Sequence, residues 1–216
     1  MSVPGRSIPL VEVRAICWDW NGTLLDDADV CRRVMNRVLA QYGRAPLEDL
    51  ATYRALFRFP IRDFYASTGL GDEVFRAAAT QYLVWLDESI DEAVLQPDVE
   101  HTLTRMADRG ILQVLASATL PGPLERQLHP HRVARHFDRI LSIADPYQAS
   151  KRDVIADWLR ESGFAAEEVL MVGDTNHDRE IAAALGTRFL HFDRGHQAAP
   201  AGVPAIQALD ELVAWL

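Results

Sequence analysis

Cysteine is scarce in this chain: Cys17 and Cys31 are the only two, and both sit in apolar-patterned segments. That excludes a disulfide framework and predicts two buried free thiols. No uninterrupted apolar run approaches the ~18 residues that a membrane-spanning helix needs. The N-terminus lacks the basic-then-apolar order of a signal peptide. Positive charge is also short, with 22 Lys and Arg against 31 Asp and Glu and a formal net charge of −9. This disfavours non-specific attachment to nucleic-acid phosphates. It leaves room for a small phosphorylated ligand, because a bound divalent cation reverses the local field. Low-complexity tracts and internal repeats are missing, which argues against a scaffold or solenoid. The expectation is a cytoplasmic enzyme or binding protein with no membrane or nucleic-acid partner. Monomer and homodimer both stay open.

The 216 residues are 49% hydrophobic and 25% charged. That is enough for one large domain, or for a core domain carrying a small insert. Residues 1–10 hold two prolines and a glycine and read as a loose arm. Val11–Trp18 reads as a buried strand, apolar apart from Glu12 and Arg14. From about Asp26 to Leu95 the pattern is helical, over Asp29–Tyr42, Leu47–Phe57, Ile61–Thr68 and Asp72–Ser89, with Asp72 as an N-cap and no clear strand. After Pro97 helix and strand alternate. Helices are expected over Asp98–Asp108, Pro123–Leu128, Ser150–Glu161 (capped by Ser150), Arg179–Leu185 and Ile206–Leu216. Strands are expected over Ile111–Ser117, Arg139–Ile143, Val169–Val172 and Arg188–Phe192. Such alternation with short loops predicts an α/β fold with a doubly wound parallel sheet. The all-helical block interrupts it as an insert. The boundaries read as a core of residues 1–25 and 96–216 and a helical cap of residues 26–95.

Chemistry-bearing residues fall at the ends of the expected strands. Asp19 follows the first strand in Asp19-Trp20-Asn21-Gly22-Thr23-Leu24. Ser117, followed by Ala118, ends the second core strand. Lys151 opens a helix. Asp174 and Asp178 follow a buried strand in Gly173-Asp174-Thr175-Asn176-His177-Asp178. In a parallel sheet the carboxyl ends of the strands share one edge, where ligands bind. The set suits phosphoryl transfer. A carboxylate can attack phosphorus, and Ser117 and Lys151 can hold phosphoryl oxygens. Several carboxylates with a carbonyl and water suit Mg²⁺.

In this order and spacing these motifs resemble the haloacid dehalogenase superfamily, closest to its phosphoglycolate-phosphatase-like branch with a helical cap. The resemblance covers essentially the whole chain beyond the arm. It implies a Rossmann-like core and Mg²⁺-dependent hydrolysis of a small phosphorylated metabolite through an aspartyl-phosphate. It implies Asp19 as nucleophile and metal ligand, the backbone carbonyl of Asn21 as a second ligand, and Asp174 and Asp178 as further ligands. Ser117 and Lys151 would bind phosphate beside Ala118, and Thr23 would support the turn.

The chain departs from that family at Asn21, where most of its phosphatases carry an aspartate that protonates the leaving alcohol and later activates water. An amide does not titrate near neutrality. The loss is worth ~10²–10⁴-fold on an alkyl phosphate. The departure leaves open a slow phosphatase, a substrate with a good leaving group such as an acyl phosphate, a phosphotransferase or mutase with a long-lived phosphoenzyme, and a weakly active phosphate-binding or regulatory protein. A 2-haloacid dehalogenase also uses an aspartate nucleophile but does not need this metal-binding set. From the sequence alone, Asn21→Asp is expected to raise p-nitrophenyl phosphate hydrolysis. Asn21-Gly22 is also a deamidation-prone pair. His177 is the nearest substitute acid in sequence, and reads mainly as an exposed loop residue. His129, His131 and His136 fit no familiar zinc spacing. Trp18 and Trp20 read as packing residues, with Trp20 also a candidate for the substrate mouth. Arg54, Arg58 and Arg62 recur every four residues, interrupted by Pro60; such a stripe reads as a solvated face, with Arg58 or Arg62 the candidate for a substrate anion.

Overall fold

The structure is a computed structural model that describes residues 12–143 and 150–216. The arm expected at residues 1–10, and Val11, lie outside them. Four apolar residues in a row, Ala15 to Trp18, require burial on both faces, and the first strand, β1 (Ala15–Asp19), receives it. A tight turn leads to β2 (Leu25–Asp26), then to helices α1 (Ala28–Gln41), α2 (Leu50–Leu56), α3 (Ile61–Ser67) and α4 (Asp72–Ser89), and to β3 (Val94–Leu95). Alternation then resumes with α5 (Val99–Asp108), β4 (Leu112–Ser117), α6 (Pro121–Leu128), β5 (Arg139–Ser142), α7 (Lys151–Ser162) and β6 (Val169–Gly173). The chain ends with α8 (Asn176–Leu185), β7 (Arg188–Phe192), β8 (Ala205–Ile206) and α9 (Glu211–Trp215).

Among the described residues the main sheet runs β5-β4-β1-β6-β7-β8, with every neighbouring pair parallel. The chain winds outward from β1 through β4 to β5, then returns to the other side of β1 with β6. The switch point therefore lies between β1 and β6, where a crevice opens at the carboxyl ends. Strand alternation divides β1 between two cores. Ala15 and Cys17 pack with Ile155 and Trp158 of α7 and Ile181 of α8. Ile16 and Trp18 pack with Leu103 of α5, Leu124 of α6 and Leu212 of α9. Trp18 keeps its polar edge satisfied, since Nε1 donates to Gln113 Oε1 at 3.1 Å. Both cysteines are buried free thiols, as expected.

Helices α1–α4 close around a separate apolar cluster that includes Met35, Leu39, Tyr53, Phe64 and Leu70. Tyr82, Trp85 and Leu86 of α4 pack against both this cluster and the core beneath. The chain enters and leaves the block through an antiparallel ladder that pairs Leu25 with Leu95 and Asp26 with Val94. A two-residue strand carries no detectable period, so the sequence reading found no strand there.

Other boundaries move. Gly71, not Asp72, caps α4; Asp72 is its first residue and pairs with Arg62 at 3.2 Å. Helix α8 starts at Asn176 rather than Arg179, because Thr175 caps it through a polar first turn that shows no apolar periodicity. Ile206 belongs to β8, and only Glu211–Trp215 of the expected terminal helix is helical. No helix of the described residues is long and apolar enough to cross a membrane.

Candidate active site at the carboxyl edge of the sheet

Asp19 is the last residue of β1, and the turn behind it brings Thr23 back so that its Oγ1 donates to Asp19 Oδ2 at 3.1 Å. The same hydroxyl lies 3.2 Å from Asp174 Oδ1, just past β6. Lys151 is the first residue of α7. Ser150 caps that helix in a reciprocal box with Asp153, which fixes where the lysine leaves the backbone. Lys151 Nζ donates to Asp19 Oδ1 and, at 2.6 Å, to Asp178 Oδ1. The other Asp178 oxygen accepts from Thr175 Oγ1 at 2.5 Å. Asp178 therefore does two jobs: it serves the cap of α8 and faces the cluster. Ser117 is buried at the end of β4, and its Oγ accepts from the Thr119 amide at 3.0 Å.

Burial and the Lys151 charge divide the acid–base state of this cluster. It pushes Asp19 up to about 8 against the pull of Lys151, and Asp174 up to about 6 against the pull of His196. Burial would also raise Asp178, but the charge and hydrogen bond of Lys151 outweigh it and hold that carboxyl below its usual range. Burial likewise works against the Lys151 ammonium, and Asp178 and Asp19 together overcome it and raise the lysine. Asp19, Asp174 and Asp178 each offer an oxygen within 4.8 Å of the others. Hard carboxylate oxygens and no softer donor fit Mg²⁺.

A second buried group, Asp27, Cys31 and His196, also lies within 4.8 Å. Here both Asp27 oxygens already accept N–H groups, from Gly22 and from the Asn21 amide, so the cluster is closed by hydrogen bonds. Among the described residues His129, His131 and His136 enter neither group.

Several candidates stand elsewhere than expected. Trp20 is fully buried and donates to Gln127 Oε1 at 2.9 Å, so its ring lines the core and not the mouth of the crevice. Arg58 is exposed and its guanidinium turns back on Leu56 O at 3.0 Å, away from the carboxylates. Arg54, not Arg58, reaches the core, bonding Asp193 Oδ1 at 2.9 Å and Gln197 O at 3.1 Å. Ala118 is exposed beside Ser117. His177 is half-buried rather than a free loop residue, with its ring stacked on Phe59 of the helical block at 4.9 Å. Asp27, Thr119 and His196 were not singled out from the sequence. Only His196 carried a usable signal, as a titratable residue in the loop after a parallel strand.

A family model described as haloacid dehalogenase-like hydrolase matches residues 16–192. Phosphoglycolate phosphatase of Aliivibrio fischeri is 25% identical over 194 residues, spanning 81% of this chain and 82% of that protein. Tyrosine-protein kinase PtkA of Mycobacterium tuberculosis is 27% identical over 187 residues, spanning 86% of this chain and 62% of that protein. A solved haloacid dehalogenase-like family hydrolase from Streptococcus pneumoniae shares the fold with a TM-score of 0.79 at 21% identity, over 95% of this chain and 99% of that one.

Proposed function

Because this chain belongs to the haloacid dehalogenase-like hydrolase family, we propose that it hydrolyses the phosphate monoester of a small metabolite, with Asp19 as the attacking carboxylate. The observation that carries this reading is the junction of Asp19, Lys151, Asp174 and Asp178 at the switch point of the sheet. Asp19 attacks phosphorus and the bond to the leaving oxygen breaks, giving an aspartyl-phosphate that water then cleaves. Lys151 offsets the charge of Asp19 and meets the phosphoryl oxygens with Ser117. Thr23 holds Asp19 and Asp174 in register. Asp19, Asp174, Asp178 and the Asn21 carbonyl would hold Mg²⁺, which supplies charge stabilisation at the phosphoryl group. Residues 26–95 act as the cap that closes the crevice and selects the substrate.

Asn21 supplies no proton, so a substrate with a good leaving group is favoured over an alkyl phosphate. It also favours a second reading, transfer of the phosphoryl group to an acceptor other than water. A relative named as a tyrosine kinase supports that alternative.

Incubation with acetyl phosphate and Mg²⁺, followed by intact-mass measurement, separates the readings. Turnover supports hydrolysis and a stable phospho-adduct supports transfer. Neither result leaves a phosphate-binding protein. On a metabolite-phosphate panel Asp19→Asn should abolish turnover, and activity that survives it would remove Asp19 as nucleophile.

A further inference from the structure

The side chain of Asn21 is held at both ends. Its Nδ2 donates to Asp27 Oδ2 at 2.8 Å, and its Oδ1 accepts from Thr119 Oγ1 at 3.1 Å. Asp27 is the N-cap residue of α1 and is 1% exposed. Its other oxygen accepts from the Gly22 amide at 2.7 Å and lies 3.3 Å from His196 Nε2. The imidazole is itself fixed. Nδ1 shares a hydrogen bond with Tyr53 Oη at 2.9 Å, the Phe57 ring stacks on it at 4.9 Å, and the His196 amide donates to Asp174 Oδ2 at 2.6 Å. The Asp27 carboxylate therefore cannot swing away from position 21, and an ionised carboxylate offers only acceptors.

We propose that Asp27 is a positioning residue matched to the amide at position 21, so that a carboxylate is accepted at 21 only when residue 27 is made neutral. A carboxylate in place of Asn21 sets two acceptors against each other across a partly buried 2.8 Å contact. The hydrogen bond is lost and like charges face each other at low dielectric. The sequence-based expectation that Asn21→Asp alone restores proton transfer therefore changes. The paired exchange Asn21→Asp with Asp27→Asn reverses the hydrogen bond, with the amide at 27 donating to the carboxylate at 21.

The kinetic arm of this inference rests on the phosphatase reading, and the stability arm does not. Thermal melting and p-nitrophenyl phosphate kinetics, with Mg²⁺, are measured on the native protein, Asn21→Asp, Asp27→Asn and the double variant. Asn21→Asp should lower Tm by roughly 4–8 °C. The double variant should recover at least about half of that Tm loss and exceed Asn21→Asp in kcat by ~10²-fold, through activation of the water that cleaves the aspartyl-phosphate, with little change in KM. The proposal falls if Asn21→Asp alone matches the double variant in both Tm and kcat. It falls also if the Tm losses simply add. Recovered melting without a gain in kcat, in an enzyme that turns over, reduces Asp27 to packing and overturns the positioning role. Coupled melting with no turnover in any variant removes the phosphatase reading and leaves the matched pair standing.

Discussion

At Gly22 the backbone has φ of +79°, and a Cβ built there would overlap Asp174 Oδ2 and the His196 ring. Glycine is needed twice over: for the left-handed turn that returns Thr23 to Asp19, and for the close approach of a neighbouring carboxylate. Gly195 also lies against Asp174, where a Cβ would overlap the same oxygen. Gly22→Ala should therefore destabilise the fold by about 1–2 kcal/mol from backbone strain alone. Displacement of Asp174 should also weaken Mg²⁺ binding, read by calorimetric titration. Unchanged Mg²⁺ affinity would show that Asp174 is not held by this contact. The sequence made Gly22 visible as part of a turn. The oxygen it must admit comes from a residue 152 positions away and left no trace near it. The same holds for Asn21. Its identity was plain, but its partners Asp27 and Thr119 were not, because one is polar beside a helix start and the other follows a strand, both ordinary places for such residues.

Among the elements, α7 and α8 bring their first turns to the carboxyl edge of the sheet, each with a capping box. In α7 the cap was readable, because Ser150 precedes a helical pattern, while the return bond from Asp153 came from the structure. In α8 it was not, since Thr175-Asn176-His177 shows no apolar period and the expected start slipped to Arg179. Losing the Ser150 cap should cost about 1 kcal/mol. Ser150→Ala should then lower Tm by about 2–4 °C. It should raise KM for p-nitrophenyl phosphate more than it lowers kcat, because Lys151 loses its fixed origin. A Tm loss with no change in KM would separate the cap from the position of the lysine. The ladder of β2 and β3 lay below the limit of pattern reading for a different reason. Two residues per strand contain one alternation each, and only the pairing of Leu25 with Leu95 and Asp26 with Val94 makes them a sheet.

For the molecule as a whole, the loop after β7 ties the helical block to the sheet. Arg54 meets Asp193, Tyr53 meets His196, and Gln197 Nε2 donates to Phe57 O at 2.7 Å. His196 is the titratable centre of that junction. Burial would lower it, but Asp27, with its charge and hydrogen bond, and then Asp174 outweigh burial and raise it to about 9. A raised histidine stabilises the fold fully below its ordinary value near 6.5, and that stability is lost as pH rises through about 9. The raised carboxyls act in the same direction. Asp19 and Asp174 keep protons in the folded state that the unfolded chain releases near 4, so stability falls as pH climbs toward 6 for Asp174 and 8 for Asp19. The Tm of the metal-free protein should therefore fall between pH 6.5 and 9, and His196→Gln should make the fall shallower. Mg²⁺ competes with those protons in the proposed site, so it should raise Tm more at pH 8 than at pH 6. A Tm that holds level or rises across this range would contradict the assigned shifts.

Local chemistry along the chain was enough to establish the alternating α/β architecture, the helical interruption after the first strand, and the kinds of side chain at each strand end. Apolar period, caps and turns act over a few residues, so they are written into short stretches of sequence. Folding alone brought Lys151 between Asp19 and Asp178, turned Arg58 outward, sank Trp20 into the core and set Asp27 against Asn21. Those outcomes depend on which strands neighbour each other and on which buried polar groups find partners. Such contacts join residues as distant as Asp19 and Lys151, 132 positions apart, and no local pattern encodes them.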